Sequence, residues 1–303
     1  MAQTVLLAGA TGMLGRQIAR HLLDQPDARL RLLVRNGDAG KRVALNPLLA
    51  RGAEIIEGDL ADRTSLDRAT QGVDVIVSAV QGGPDVIVDG QATLAEAGRR
   101  NGVRRILPSD YALDLFKATP GEHVMFDLRR TAGEAIAATG IEHIHVLQGG
   151  FMELFGPGMG AFDYDAGTVA FWGDGTQPIE VTSVEDTARM VARVALDRSV
   201  GNGKFAFAGD RISILGAADV VEAQTGCRFE RRPLGSEADL RAAMAEAQKD
   251  TSNPFKAVML AYQLYMLTGQ TALSDLQNGR YPDLQLESFA RFAARALPGR
   301  AAA

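Results

Sequence analysis

The stretch Thr4-Val5-Leu6-Leu7-Ala8-Gly9-Ala10-Thr11-Gly12-Met13-Leu14-Gly15-Arg16 joins an apolar run to a glycine-punctuated turn and then to the start of a helix. Leu14, Ile18 and Leu22 recur four apart, the spacing of one helical face, and Leu30-Arg31-Leu32-Leu33-Val34 is again an apolar run. The order strand, helix, strand continues outward. Glu54-Ile55-Ile56, Val73 to Val77, Arg105-Ile106-Leu107 and Ile144-His145-Val146 read as strands, with a polar stretch through Ala69 and helices near 85–101 and 126–139 between them. Strands separated by helices of this length form βαβ units, which predicts an α/β fold with a doubly wound parallel sheet over residues 1–150.

After Gly149-Gly150 the texture changes to Gly and Asp clusters between short strands at 169–171 and 178–181. Ser183-Val184-Glu185-Asp186 reads as a capping box opening a helix to Asp197, and further helices are expected near 213–225, 236–249 and 254–268. Residues 151–303 therefore read as a smaller α+β substrate lobe interleaved with the first domain. The 303 residues are 46% hydrophobic, enough for one large domain or a domain plus a lobe. Lys and Arg number 32 against 37 Asp and Glu, so no basic excess exists to neutralise a phosphate backbone, and nucleic acid is an unexpected partner. Cys227 is the single cysteine and there are four histidines, which excludes an internal disulfide and an ordinary zinc site; no metal is expected. No long apolar run or basic leader stands at the start, so the expectation is a soluble, cytoplasmic chain without membrane contact.

Gly9, Gly12 and Gly15, with Thr11, Met13 and Leu14 among them, follow the first strand and open the first helix, so backbone amides and the helix dipole face a pyrophosphate. The spacing is G-x-x-G-x-x-G, and its place between strand and helix makes it specific. The second strand ends at Arg35 where an acidic residue would hold ribose hydroxyls, which favours a 2'-phosphate and thus NADPH (NADP+) over NADH, with Lys41 and Arg42 just beyond. Asp59, after the third strand, is placed to approach adenine, and Ser78, Ala79, Val80 and Gln81, after the fourth, the inner ribose.

These residues resemble the NmrA-like branch of the atypical short-chain dehydrogenases, which includes isoflavone, pinoresinol-lariciresinol and phenylcoumaran benzylic ether reductases. The resemblance rests on the Gly9–Gly15 loop, Arg35, Val77-Ser78-Ala79-Val80, Leu107-Pro108-Ser109-Asp110-Tyr111, Gly140-Ile141, Gly149-Gly150-Phe151 and Val184-Glu185-Asp186-Thr187-Ala188, and covers nearly the whole chain. It implies a Rossmann domain carrying NADPH, a nicotinamide reaching the 108–151 region with Ser109, Gly150 and Phe151 beside it, and a lobe covering a small aromatic substrate. The plant-type reductases carry a lysine acting as base or proton donor on the helix before the Gly140-Ile141 equivalent. Here that stretch reads Asp127-Leu128-Arg129-Arg130-Thr131, without lysine. Arginine stabilises an oxyanion or binds the cofactor, but its pKa above 12 makes it a poor proton shuttle.

Tyr111, Lys117 or water are the alternative proton sources, and Arg129 completes the candidate catalytic set. Tyr111 serves if a nearby cation lowers its pKa. His123 is a weaker candidate acid, and His143 and His145 share one side of a strand, where a packed imidazole is expected. For the substrate, Phe151, Met152 and Phe155 follow the glycine pair, and Met259 and Tyr262 lie on an apolar stripe with Phe255, Val258, Tyr265 and Met266 that equally suits a core or a homodimer face. Trp172 is expected to be structural. Two functions follow: an NADPH-dependent reductase delivering hydride to a phenylpropanoid-, isoflavonoid- or quinone-like substrate, or a non-catalytic NADP(H)-binding redox sensor acting through a protein partner.

Overall fold

The computed structural model describes residues 2–35, 39–250 and 252–299. Six strands, β1 (Gln3–Ala8), β2 (Ala28–Val34), β3 (Glu54–Glu57), β4 (Val75–Ser78), β5 (Arg105–Leu107) and β6 (Glu142–Leu147), pair in parallel in the order β6-β5-β4-β1-β2-β3. The strand Gly203–Ala206 adds a seventh beside β6. Val5, Leu6, Leu7, Val75, Ile76 and Val77 have no exposed surface, because a parallel sheet covered by helices buries both faces of its central strands. That is why these strands are continuous apolar runs. The order reverses between β1 and β4, the switch point at which such sheets open a ligand crevice.

Between the strands run α1 (Met13–Leu23), α2 (Ala39–Leu49), α3 (Arg63–Ala69), α4 (Gln91–Arg100) and α5 (Val124–Ala138). Helix α1 buries Gly15, Ile18, Ala19 and Leu22 and packs against α6 (Val184–Leu196), where His21 Nε2 lies 2.8 Å from Glu185 Oε1. The expected helix over 85–101 is two pieces: a π-helical segment, Asp85–Gly90, leads into α4. The buried Gln91 side chain explains the break, since its Nε2 donates to the Ile87 carbonyl at 2.9 Å, and a side chain inserted into the ladder loosens the turn. Helix α2 lies in a stretch for which the sequence reading named no element, only the basic residues Lys41 and Arg42.

The chain forms two compact units and passes between them at 111/112, 127/128, 146/147, 183/184 and 205/206. The first holds the parallel sheet. Its deepest tie is Arg105, fully buried at the start of β5, which donates to the Val194 and Asp197 carbonyls at 3.1 and 2.7 Å and also to the Val200 carbonyl and Glu142. One guanidinium thereby satisfies the end of α6, whose last carbonyls lack helical partners.

The second unit has two three-stranded sheets, Asp210–Ser213 with Pro178–Thr182 and Gly150–Phe151, and Glu230–Pro233 with Thr168–Phe171 and Phe162–Asp163. Helices α7 (Ile214–Thr225), α8 (Glu237–Ala247), α9 (Pro254–Thr268) and α10 (Phe289–Ala296) complete it. Its main core is aromatic: Phe155 meets Phe289 edge-on at 4.8 Å and Phe162 meets Phe229 at 5.2 Å. Gly149 requires its φ of +79°, and a Cβ there would lie 2.1 Å from the Glu180 carbonyl oxygen, so only glycine lets the strand Gly150–Phe151 enter beside Pro178–Thr182. No helix among the described residues is long and apolar enough to cross a membrane.

Candidate functional site

The three glycines after β1 do different work. At Gly9, with φ +90°, a Cβ would lie 2.2 Å from the Ala79 carbonyl oxygen, so the ends of β1 and β4 meet backbone to backbone. At Gly15 a Cβ would lie 2.2 Å from the Gly9 carbonyl oxygen, and the first turn of α1 packs directly on the loop. Gly12 differs: a Cβ would meet only the Gly9 oxygen, at 3.4 Å, an ordinary contact. Nothing among the described residues requires glycine there, and its side-chain position is open. Gly12 also caps α1 without a side-chain hydrogen bond, and no acidic residue stands in the first turn. Thr11 gives its carbonyl to Arg16 Nη2 at 3.2 Å, Leu14 is half-buried, and Met13 is exposed.

Around this loop, Arg35 is exposed directly after β2. Arg42 is paired with Glu57, and the side chain of Lys41, on α2, lies outside the described residues. Asp59 turns its carboxylate onto the Ala61 amide at 3.0 Å and its own amide to Ser65 Oγ at 3.0 Å, so it shapes the turn into α3. Ala79 and Val80 are half-buried, Gln81 is exposed, and the Ala79 amide donates to the Ala8 carbonyl at 2.9 Å.

A buried polar layer continues from the end of β4 to β5, α5 and β6. Ser109 Oγ donates to the Val80 carbonyl at 2.8 Å and the Ser109 amide to Gln91 Oε1 at 2.8 Å. Arg129 Nε, on α5, donates to the Ser109 carbonyl at 3.1 Å, while its buried Nη1 has no partner. Tyr111 donates its hydroxyl to the Ser78 carbonyl at 3.0 Å, and the Ser78 hydroxyl is itself buried without a partner. Asp110 and His145 form a buried pair, Oδ2 to Nδ1 at 2.6 Å, and the second carboxylate oxygen of Asp110 is unpartnered. Gly133 makes room on α5 for that imidazole, since a Cβ would lie 3.0 Å from His145 Cε1. Structure thus brings together Ser78, Val80, Ser109, Tyr111 and Arg129, and adds Gln91, Asp110 and His145. Gln91 had a signal in the sequence: a polar residue at the Ile87, Gln91, Leu94 spacing of an otherwise apolar face.

The condition set for Tyr111 as proton donor, a nearby cation that lowers its pKa, is not met. Burial, and then the Asp110 carboxylate beside it, push the phenol well above its ordinary value of 10.0, because both disfavour a phenolate. A phenol so held keeps its proton. Lys117 is likewise occupied: its Nζ donates to the Ala272 carbonyl at 2.6 Å and to Ser274 Oγ at 3.3 Å, within the second unit, and Asp114 lies 3.8 Å away. Both side chains are engaged in hydrogen bonds to backbone carbonyls.

The second unit also corrects the substrate set. Met152, with no exposed surface, and Phe155, 6% exposed, lie in the aromatic core and present no wall to a ligand. Phe151 is half-buried on its short strand with Gly150. Tyr262 packs edge-on against His123 at 4.3 Å, and His123 stacks on Phe126 at 4.0 Å, so these rings form a packing cluster. Met259 is half-buried on α9. Among the described residues no cluster of three or more His, Cys, Asp or Glu side chains could hold a metal.

Comparison with known proteins agrees with this architecture. Pinoresinol reductase 2 of Arabidopsis thaliana is 30% identical over 214 residues, a match spanning 64% of this chain and 64% of that protein's length. Among solved structures, AtPrR2 with NADP+ and (+)pinoresinol superposes with a TM-score of 0.82 at 23% identity, over 97% of this chain and 98% of that one. The leucoanthocyanidin reductase–NADPH complex from Vitis vinifera gives 0.79 at 21% identity, over 96% and 98%. The model of the NmrA-like family matches residues 1–273, and with the glycine loop at the switch point of a seven-stranded sheet this establishes that the chain belongs to the NmrA-like family.

Proposed function

We propose that the protein is an NADPH-dependent reductase that delivers hydride to a small aromatic acceptor, phenylpropanoid-, isoflavonoid- or quinone-like, with the first unit as its NADPH-binding part and the second as its substrate lobe. The observation that carries this is Gly12, whose side-chain position is free of the protein beside an uncapped helix end. The donor set fits a dinucleotide: amides of the Gly9–Gly15 loop and α1 for the pyrophosphate, Arg35 for a 2'-phosphate, and residues 78–81 for the inner ribose. Relatives named as pinoresinol and phenylcoumaran benzylic ether reductases support the reaction class.

When bound, NADPH supplies a hydride from its nicotinamide C4. The protein's part is orientation and charge. Arg129 occupies the stretch where the plant-type reductases carry lysine, and the Ser109 carbonyl fixes its guanidinium with Nη1 unspent. A preorganised cation of this kind stabilises an oxyanion as it develops. It does not give up a proton at neutral pH, and the Tyr111 phenol is held neutral, so the proton is assigned to water. A product anion already stabilised as a phenolate needs no strong acid.

One observation favours a second reading, the NADP(H)-binding sensor: Tyr111 and Lys117 are both tied into structure. Titration with NADPH and NADH, followed by NADPH oxidation with aromatic ketones, enones, quinones and benzylic ethers, decides. Tighter NADPH binding with turnover supports the reductase; tight binding with no turnover across the panel supports the sensor, and no binding removes both.

A further inference from the structure

Gln91 opens α4 with no exposed surface, on a helical face otherwise made of Ile87, Leu94 and Ala95. Burying an amide in such a face is unfavourable unless both of its ends are bonded. Here both are: Nε2 donates to the Ile87 carbonyl at 2.9 Å, and Oε1 accepts the Ser109 amide at 2.8 Å. A backbone N–H is a donor only, so Ser109 fixes which end of the amide faces it. The backbone N–H of Gln91 turns to the Val88 carbonyl, at the end of the π-helical segment Asp85–Gly90. A π-helical turn is a local departure from the favoured helix, and such turns are frequent at functional sites.

Ser109, just beyond β5, uses every polar group it has: its amide on Gln91, its hydroxyl on the Val80 carbonyl at 2.8 Å and its carbonyl on Arg129 Nε at 3.1 Å. That last bond is the only one the Arg129 guanidinium makes among the described residues, and Nη1 is buried without a partner. The place of the cation therefore depends on the place of Ser109. Gln91, Ser109 and Arg129 all belong to the first unit. Of the groups that hold Ser109, Gln91 is a fully buried side chain anchored at both ends. We infer that Gln91 is a positioning residue: through Ser109 it fixes where the Arg129 guanidinium stands, and so where Nη1 is aimed. A donor already in place meets a developing oxyanion without reorganisation, which is what a fixed guanidinium supplies. In naming Arg129 as the group that is served, the inference rests on the reductase reading.

The test reads the guanidinium itself, by hydrogen exchange of side-chain 1H–15N signals in the full chain without cofactor. The Arg129 Nε–H signal is identified by its loss in Arg129→Lys. Arg105 Nε–H, bonded to Glu142 in the same unit and to neither Gln91 nor Ser109, is the reference for an intact fold. Gln91→Met keeps the length of the side chain and removes both of its bonds. It should lower the protection of Arg129 Nε–H at least about tenfold relative to that of Arg105 Nε–H. A smaller relative change overturns the inference, because it means either that Arg129 is held without Gln91 or that Gln91 props the whole unit. A second measurement needs no variant: in the native protein Arg129 Nε–H should be protected to within about tenfold of the Ser109 amide, and a larger shortfall overturns the inference too. Turnover is read separately. With NADPH and any acceptor that the native protein reduces, Gln91→Met should lower kcat at least about tenfold. A loosened Arg129 with unchanged kcat, or no turnover by the native protein, would count against the reductase reading alone.

Discussion

In the first unit apolar strands are buried on both faces and the polar groups gather at their carboxyl ends, whereas in the second short strands carry a core built from Phe155, Phe162, Phe229 and Phe289. The first unit is tied by hydrogen bonds from a few buried polar side chains, chiefly Arg105, Gln91 and Arg129. Ring packing holds the second. The contrast teaches where polar groups go in each: to the carboxyl ends of the strands at the sheet's switch point in the first unit, and away from a ring-packed core in the second.

The hardest test of the first half is Arg105→Leu, which takes the buried guanidinium away from three carbonyls and leaves Glu142 with Arg104 alone. A loss of about 3–5 kcal/mol in urea unfolding is expected, the scale for breaking a buried ion pair. The matching test in the second unit is Phe289→Ala, expected to cost about 3–5 kcal/mol by opening a cavity among rings. A cost under about 1 kcal/mol for either would dissolve the contrast.

Gly12→Val separates binding from folding. Its Cβ would meet only the Gly9 carbonyl oxygen, so stability measured by thermal melting should fall by no more than about 1 kcal/mol, the cost of a poorer N-cap, while NADPH affinity falls roughly a hundredfold, about 2.7 kcal/mol. Equal loss of both would mean that Gly12 is needed by the fold.

Tyr111→Phe sharpens the assignment of the polar layer. It leaves the Ser78 carbonyl without its donor, for an expected cost of about 1–2 kcal/mol, with turnover changed by less than about threefold. A hundredfold fall in kcat at unchanged stability would restore Tyr111 as proton donor. In the native protein the raised Tyr111 pKa makes stability decline as pH rises above about 10, the ordinary tyrosine value, because the unfolded chain ionises first. That alkaline slope should be smaller in the variant.

The smallest effect lies at acid pH. Hydrogen bonds from Arg231 first, and from the Phe229 amide, hold Glu222 below its ordinary pKa of 4.5. Its contribution is present above that pH and is lost as pH falls through the depressed value. With the exposure of the pair it should amount to a fraction of a kcal/mol, read as the difference in acid unfolding between the native chain and Glu222→Gln.

The central strands and the glycine loop were legible because burial on both faces leaves no polar interruption in strands such as Val75–Ser78. Helix α2 was not: it contains Pro47 and, of its described side chains, buries chiefly Leu45 and Leu48, a weak period to read. The strand Glu230–Pro233 was hidden for the opposite reason, since Glu-Arg-Arg-Pro has no apolar alternation and forms only because Thr168–Phe171 offers it an edge. In the site, Gly9, Gly12 and Gly15 were readable from spacing, yet only their surroundings distinguish the one whose side-chain position is open from the two that permit close packing. Met152 and Phe155 looked like pocket walls because type and position in sequence do not say which side of a ring is covered.

By itself the sequence determined the parallel sheet, the glycine loop between β1 and α1, the arginine after β2 and the absence of lysine at 127–131, since each depends on local order and periodicity. Tertiary structure decided what the polar side chains do with those positions. Whether Tyr111 ionises, whether Arg129 keeps an unspent N–H and which end of the Gln91 amide meets Ser109 all depend on partners far away in the chain, and burial makes each such pairing obligatory.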